Sequence, residues 1–236
     1  MIEGVKYAEI NDLDSVKALL NEKTAAIIVE PVQGEGGVYV CSKEFLTGLR
    51  KLCDERDIAL ILDEVQCGMG RTGTIMTYFQ YDILPDILCL AKGIGAGFPM
   101  GAFVANKKFA AAMEPGDHGS TYGGNPMAGQ ACRTVFKILE DTKMIDHVQD
   151  ISEYLIEKLD DLQEEFPCIK ERRGLGLMIG LEFDKPVKDI VKTCLDLGLI
   201  VVTAGPHVVR MLPPFITTEK DVDQAIAILK EAIEKN

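Results

Sequence analysis

Two side chains able to work as a pair, the carboxylate of Asp63 and the amine of Lys92, each stand at the end of a short, unbroken apolar run. Leu60-Ile61-Leu62 leads into Asp63, and Ile87-Leu88-Cys89-Leu90-Ala91 leads into Lys92. Such runs suit strands covered on both faces of a parallel sheet. The step of 29 residues between the two ends is about one strand–crossover–strand unit, which predicts neighbouring strands. Ligands of an open parallel sheet bind outside the carboxyl ends of its strands, so both groups are expected to face one crevice. A buried salt bridge is the other reading of the same two residues.

Their surroundings carry more chemistry. Lys92 is followed by Gly93-Ile94-Gly95-Ala96-Gly97-Phe98-Pro99-Met100-Gly101, whose glycines predict a backbone packed closely around the amine. An amine that must be neutral to attack a carbonyl is helped by desolvation. Gly119-Ser120-Thr121-Tyr122-Gly123-Gly124 precedes Asn125-Pro126, a strong helix start. Hydroxyls and free N–H groups there suit a phosphate. His118, just before, reads equally as a hydrogen-bonded loop residue. Pro31-Val32-Gln33-Gly34-Glu35-Gly36-Gly37 is a glycine-rich loop carrying a second carboxylate, Glu35, or else a flexible, solvated turn. Arg210 interrupts the apolar strand Val208-Val209-Arg210-Met211-Leu212; it is either paired structurally or a bidentate clamp for a carboxylate. Gly68-Met69-Gly70-Arg71-Thr72-Gly73 matches G-x-G-x-x-G. A dinucleotide reading fails because Asp63 and Glu64 stand between the strand and the glycines, where they would repel a pyrophosphate.

The elements that must position these residues alternate. Val5–Ile10 has strand-like alternation. Asn11 or Asp12 can cap a helix with Leu13, Val16, Leu19 and Leu20 on one face, and Ala25–Val29 reads as a strand. Ser42 opens a helix with the stripe Phe45, Leu46, Leu49, Leu52 and Cys53. A strand over 101–105, a helix from Met127 to Leu139, a break at Asp141-Thr142-Lys143 and a second long helix follow. Ile145, Val148, Ile151, Leu155, Leu159, Leu162 and Phe166 are that helix's core stripe. Beyond Cys168, strands are expected over Ile169–Arg173, Leu177–Phe183, Leu199–Val202 and Val208–Leu212. Helices are expected near Val187–Leu197 and from Thr217 or Thr218 onward. The alternation predicts an α/β class with a small α+β domain at the C-terminus, the division falling between residues 1–140 and 141–236.

Composition removes some functions. With 25 basic and 37 acidic side chains the net charge is −12, which repels nucleic acid and anionic membranes at long range. No apolar stretch reaches the length of a membrane span. Seven cysteines form an odd set without a C-x-x-C pair; they read as free thiols in a reducing compartment, with the cytoplasm as the expected location. No metal-ligand pattern stands out.

Taken together, Leu62-Asp63-Glu64-Val65-Gln66, Gly70-Arg71-Thr72-Gly73, Leu90-Ala91-Lys92-Gly93, Gly97-Phe98-Pro99-Met100-Gly101 and His118–Pro126 resemble the class III, pyridoxal-phosphate-dependent aminotransferases. Pro115–Thr121 and Gly205-Pro206-His207 leading to Arg210–Pro214 are most similar to the branch of that class acting on N-acetylornithine. The resemblance implies a partial fold type I large domain of the pyridoxal-phosphate transferases, a mainly parallel sheet with helices on both faces, plus the small domain. It implies that Lys92 condenses with the cofactor aldehyde and relays the proton, and that Asp63 pairs with the pyridinium nitrogen, keeping the ring an electron sink. Glu64, Val65 and Gln66 fall in the cofactor-binding stretch, Val65 against the ring face and Gln66 at its oxygen. Thr121 matches a phosphate ligand supplied across a homodimer interface with a shared active site, and Ser120 a substrate contact. Glu35 and Arg210 match a gate pair, the arginine clamping the carboxylate of glutamate or 2-oxoglutarate.

The implied reaction moves the distal amino group of N-acetylornithine to 2-oxoglutarate, giving glutamate, in arginine biosynthesis. Other donors of the class, ornithine, succinylornithine or 4-aminobutyrate, stay open, as does a non-catalytic fragment. The resemblance covers essentially this whole chain, and it places Met1 well inside the usual enzyme, past a first phosphate loop and a ring-stacking aromatic.

Overall fold

The computed structural model describes residues 3–236. In chain order the elements are α1 (Leu13–Leu19), β1 (Ala26–Val29), β2 (Val32–Gln33), β3 (Tyr39–Val40), α2 (Lys43–Arg56), β4 (Ala59–Asp63), β5 (Ile87–Leu90), β6 (Ala102–Ala105), α3 (Lys107–Ala110), α4 (Pro126–Asp141), α5 (Met144–Glu165), β7 (Ile169–Leu175), β8 (Met178–Phe183), α6 (Lys188–Asp196), β9 (Val202–Thr203), β10 (Val208–Met211) and α7 (Glu219–Glu234). Short 3-10 turns lie at Thr77–Gln80 and Lys92–Gly95. The chain divides into two compact units.

The first unit holds the chain up to Pro31, Cys41–Gln66 and Tyr78–Val135. Its sheet runs β1-β4-β5-β6, parallel except for the last pair. Ser42 caps α2 by accepting the N–H of Phe45, and the predicted stripe Phe45, Leu46, Leu49, Leu52 and Cys53 is buried. Each such side chain contributes about 1.5–3 kcal/mol when fully removed from water. Asp86 ties the strands together: its Oδ2 accepts the Leu60 N–H at 2.8 Å and Arg50 Nη1 at 2.9 Å, and its Oδ1 accepts Asn106 Nδ2 at 2.6 Å.

Cover on both faces of this sheet, expected from the unbroken apolar runs, is met on one face. Leu60, Leu62, Leu88 and Leu90 are buried, but Ile61, Ile87 and Cys89, which alternate with them, are only half-buried. Ile28, in register with Ile61, is 64% exposed. Side chains alternate along a strand, and the second row meets little cover among the described residues. Val5–Ile10 is another correction: it is irregular chain, with Val5 and Tyr7 exposed. Asp12, not Asn11, caps α1, accepting the N–H groups of Asp14 and Ser15.

The second unit gathers Val32–Val40, Cys67–Thr77 and Phe136–Asn236. Its antiparallel sheet has the order β7-β8-β10-β9, and β2 and β3 form a small hairpin. One core joins Val148, Ile151, Leu155, Leu159 and Leu162 of α5 to Ile179, Leu181 and Phe183 of β8 and to Val222, Leu229 and Ile233 of α7. Thr218 closes a capping box with Asp221 at the start of α7. The strand expected at Leu199–Val202 is shortened to Val202–Thr203. Gly198, at φ +94°, turns the chain so that the Leu199 N–H reaches Cys194 O at 2.8 Å, which uses those residues to end α6.

Gly68–Gly73 forms consecutive turns. Arg71 there is mostly buried, and desolvation pulls its guanidinium down to about 10. Its Nη1 donates to Pro213 O at 2.6 Å and Leu177 O at 3.2 Å, and its guanidinium lies 4.7 Å from the Phe215 ring centre. Gly176, at φ +57°, is needed where this segment passes, since a Cβ there would sit 2.5 Å from the Thr72 carbonyl carbon. The cysteines are free thiols, and burial pushes Cys41 up to about 12. Among the described residues no helix is long and apolar enough to cross a membrane.

Candidate functional site

The chemistry-bearing residues fall into two sets, one in each unit. In the first, β4 and β5 are adjacent and parallel, with Asp63 paired to Cys89 three residues before Lys92. Two predicted strand ends thus deliver a carboxylate and an amine to the same edge of one sheet. Asp63 is half-buried, and its Oδ1 accepts the Val65 N–H at 3.0 Å, a local bond that turns the chain and fixes the carboxylate. Burial raises the Cys89 thiol, and the negative charge of Asp63 on the same face adds to that.

The neighbours of Asp63 differ in placement. Glu64 is 1% exposed, and its Oε1 accepts the Tyr78 N–H at 2.7 Å, so its carboxylate supports the following segment from within. Val65 and Gln66 are half-buried.

Lys92 has φ +47°, a left-handed conformation uncommon outside glycine. It costs of order 1 kcal/mol and tends to mark positions where a side chain must be aimed. Ile94 and Gly95 are buried, while Lys92 itself is exposed. Close packing around the amine, expected from the glycines, is therefore not found in this chain. The glycines instead permit a tight 3-10 turn, closed by the Ala96 N–H on Gly93 O and the Phe98 N–H on Gly95 O. Ser120 and Thr121 lie on an exposed turn ahead of α4. Ser120 Oγ accepts the Gly123 N–H at 3.0 Å, and Asn125 Oδ1 accepts the Ala128 N–H at 2.9 Å, confirming the predicted helix start.

In the second unit the structure joins the predicted Glu35 and Arg210 directly. Arg210 Nη1 donates to Glu35 Oε1 at 2.8 Å and to Gly34 O at 2.6 Å. The arginine side chain is 9% exposed and the glutamate side chain 75%. The segment expected as a glycine-rich loop is organised: Val32 pairs with Val40 and Gln33 with Tyr39.

Arg173 carries no local sequence signal, yet it is as buried as Arg210 and grips the same hairpin. Its Nε donates to Gly37 O at 2.6 Å. Its Nη1 meets Glu171 at 2.6 Å and also Glu182. Its acceptor Gly37 lies 136 residues away in the chain, so spacing carries no sign of the contact. Among the described residues no cluster of three or more His, Cys, Asp or Glu is arranged to hold a metal ion.

Comparison with known proteins supplies the context. Residues 3–233 match the family described as aminotransferase class-III. Acetylornithine aminotransferase of Clostridium acetobutylicum is 47% identical over 234 residues, which are 99% of this chain and 60% of that protein. Among solved structures, N-acetylornithine aminotransferase from Stenotrophomonas maltophilia K279a superposes with a TM-score of 0.86 at 36% identity, covering 98% of this chain and 62% of that one. Ornithine delta-aminotransferase of Plasmodium falciparum gives 0.90 at 33% identity, covering 95% and 60%. The chain thus spans about 60% of the length of the curated relative it matches. With the family match running over nearly every residue, and with the paired strand ends in place, the chain belongs to the class III aminotransferases, a pyridoxal-phosphate-dependent family.

Proposed function

We propose that this chain carries the lysine, the ring-facing carboxylate and the carboxylate clamp of an aminotransferase that moves the distal amino group of N-acetylornithine to 2-oxoglutarate, giving glutamate. The observation that carries the reading is the pair of adjacent parallel strand ends. They set Asp63 and Lys92 on one edge, with Lys92 in a strained, aimed conformation.

These residues fit the family's cofactor. A phosphorylated pyridine aldehyde needs an accessible amine, a carboxylate fixed in orientation and phosphate donors. Lys92 is exposed, Asp63 is fixed by the Val65 N–H, and the Ser120-Thr121 turn is open ahead of the α4 N-terminus. When bound, pyridoxal phosphate supplies an electron sink that makes a carbon next to the amine acidic. Asp63 would hold the proton on the ring nitrogen, and Lys92 would bind the aldehyde carbon and carry a proton at its Nζ. Val65 and Gln66 would orient the ring, Thr121 would contact the phosphate, and Glu64 would brace the turn. Thr121 would serve the partner's site in a homodimer, and Ser120 would touch substrate.

Arg210 would clamp a carboxylate of glutamate or 2-oxoglutarate, and Glu35 would neutralise that arginine when the other substrate binds. We place the enzyme in the cytoplasm and in arginine biosynthesis, and assign the tail from 141 to the family's small domain. Ornithine is the second reading for the donor, supported by the match to the Plasmodium enzyme. Amino transfer to 2-oxoglutarate, followed as glutamate formed from N-acetylornithine, ornithine and 4-aminobutyrate in parallel, tests the proposal. Fastest transfer from N-acetylornithine supports it, and preference for another donor overturns the donor assignment.

A further inference from the structure

We propose that Arg173 is a positioning residue that holds the Glu35 hairpin in register with Arg210, so that the gate works by rotation of one side chain on a fixed loop. This rests on the reading of Arg210 as a carboxylate clamp. In the sheet register Arg173 and Arg210 both pair with Gly180, one on either side, so the three positions form a single row across β7, β8 and β10. Paired residues project to the same face of a sheet, and the middle position has no side chain. Val38 fills that notch: a Cβ added at Gly180 would lie 2.9 Å from Val38 Cβ. Val38 is fully buried and has φ +59°, a conformation that a β-branched residue adopts only when its surroundings impose it.

The hairpin is thereby gripped at both ends. Arg210 holds it at Gly34 O and Arg173 at Gly37 O, each at 2.6 Å, with Val38 seated between them. The Arg173 guanidinium also lies 4.0 Å from the centre of the Tyr39 ring.

The two arginines differ in what neutralises them. Arg173 has two carboxylates on its own sheet, Glu171 and Glu182, so its charge is matched without the hairpin and it has no call on a substrate carboxylate. Arg210 meets the exposed carboxylate of Glu35, which water and an incoming anion can reach. Fixing Gly34 and Gly37 leaves the Glu35 side-chain torsions as the moving part. Arg173 would thus set how firmly Glu35 competes with a substrate for Arg210.

The test uses the full chain with glutarate as probe, followed by calorimetry, and amide hydrogen exchange of the 32–40 peptide. Arg173→Gln should speed exchange in that peptide about tenfold, the effect of losing a hydrogen bond from a charged donor, while β10 and α5 exchange as before. It should also tighten glutarate binding about two- to fivefold, the worth of an exposed ion pair, and leave affinity unchanged when introduced into Glu35→Gln. Arg173→Lys, which keeps a cation for Glu171 and Glu182 but loses the fork, should shift both readings the same way if the glutamine variant is unstable. Unchanged exchange over 32–40, or an equal change of glutarate affinity in both backgrounds, overturns the proposal. Glutarate binding indifferent to Arg210→Lys would instead sink the clamp reading, with the exchange result still deciding for or against the positioning role.

Discussion

The two sets of candidate functional residues are built by different physics. In the first unit Asp63 and Lys92 are placed by topology: parallel strands in register deliver them to one edge, and local turns aim them, leaving the amine exposed. In the second unit Arg210 and Arg173 are buried, charge-matched and bonded to a hairpin far away in the chain. An open edge suits a group that must take up a large ligand. A buried guanidinium with oriented partners suits recognition of a small carboxylate, because desolvation raises the cost of leaving the charge unmatched.

That contrast can be broken from either side. The largest expected effect is on Asp63. Removing one member of a buried charge pair costs about 3–5 kcal/mol, so Asp63→Ala in an active assembly should slow the donor half-reaction about a hundredfold or more, measured by single-turnover spectroscopy. A change in donor KM with kcat intact would mean that Asp63 serves binding alone. Next is Arg210→Ala, which should weaken glutarate or 2-oxoglutarate about thirtyfold or more in calorimetry, as expected for truncating a buried charge partner. Donor binding should change far less, since Glu35 then has no arginine to cover.

Smaller effects sharpen the comparison. Gly180→Ala forces a methyl group into the Val38 notch and should lower unfolding stability by about 1–3 kcal/mol in urea, with tighter glutarate binding as the hairpin lifts and Glu35 competes less for Arg210. Thr218→Ala removes the α7 cap remote from the row and should cost about 1 kcal/mol in the same unfolding experiment while leaving glutarate affinity alone. If both variants change glutarate affinity equally, or neither does, the hairpin row has no special part in recognition.

How far the sequence revealed each region follows from the same contrast. Asp63 and Lys92 were legible because strand ends and their spacing are local signals, as were the Ser42, Asn125 and Thr218 helix starts. Arg210 stood out as a charge inside an apolar strand, though only the structure shows its bond to Glu35. Arg173 was invisible because its strand neighbours are mixed in character and its key acceptor is a backbone oxygen in a distant hairpin. The exposure of Lys92 is hidden from the sequence for a related reason: glycines indicate a tight backbone turn, but not what covers the side chain above it. Likewise, unbroken apolar runs do not reveal that one face of the sheet has little cover among the described residues. Val5–Ile10 alternates like a strand, but alternation forms no ladder without a neighbour to pair with.

The central claim, that Lys92 is the amine this fold aims at the cofactor, has a direct test. The protein, alone or completed with the segment by which its relatives are longer, is mixed with pyridoxal phosphate, reduced with borohydride and digested, and the labelled peptide is mapped. Label concentrated on the peptide containing Lys92, and lost in Lys92→Ala, is the predicted result; label spread over surface lysines with Lys92 unmodified in the completed protein would contradict it.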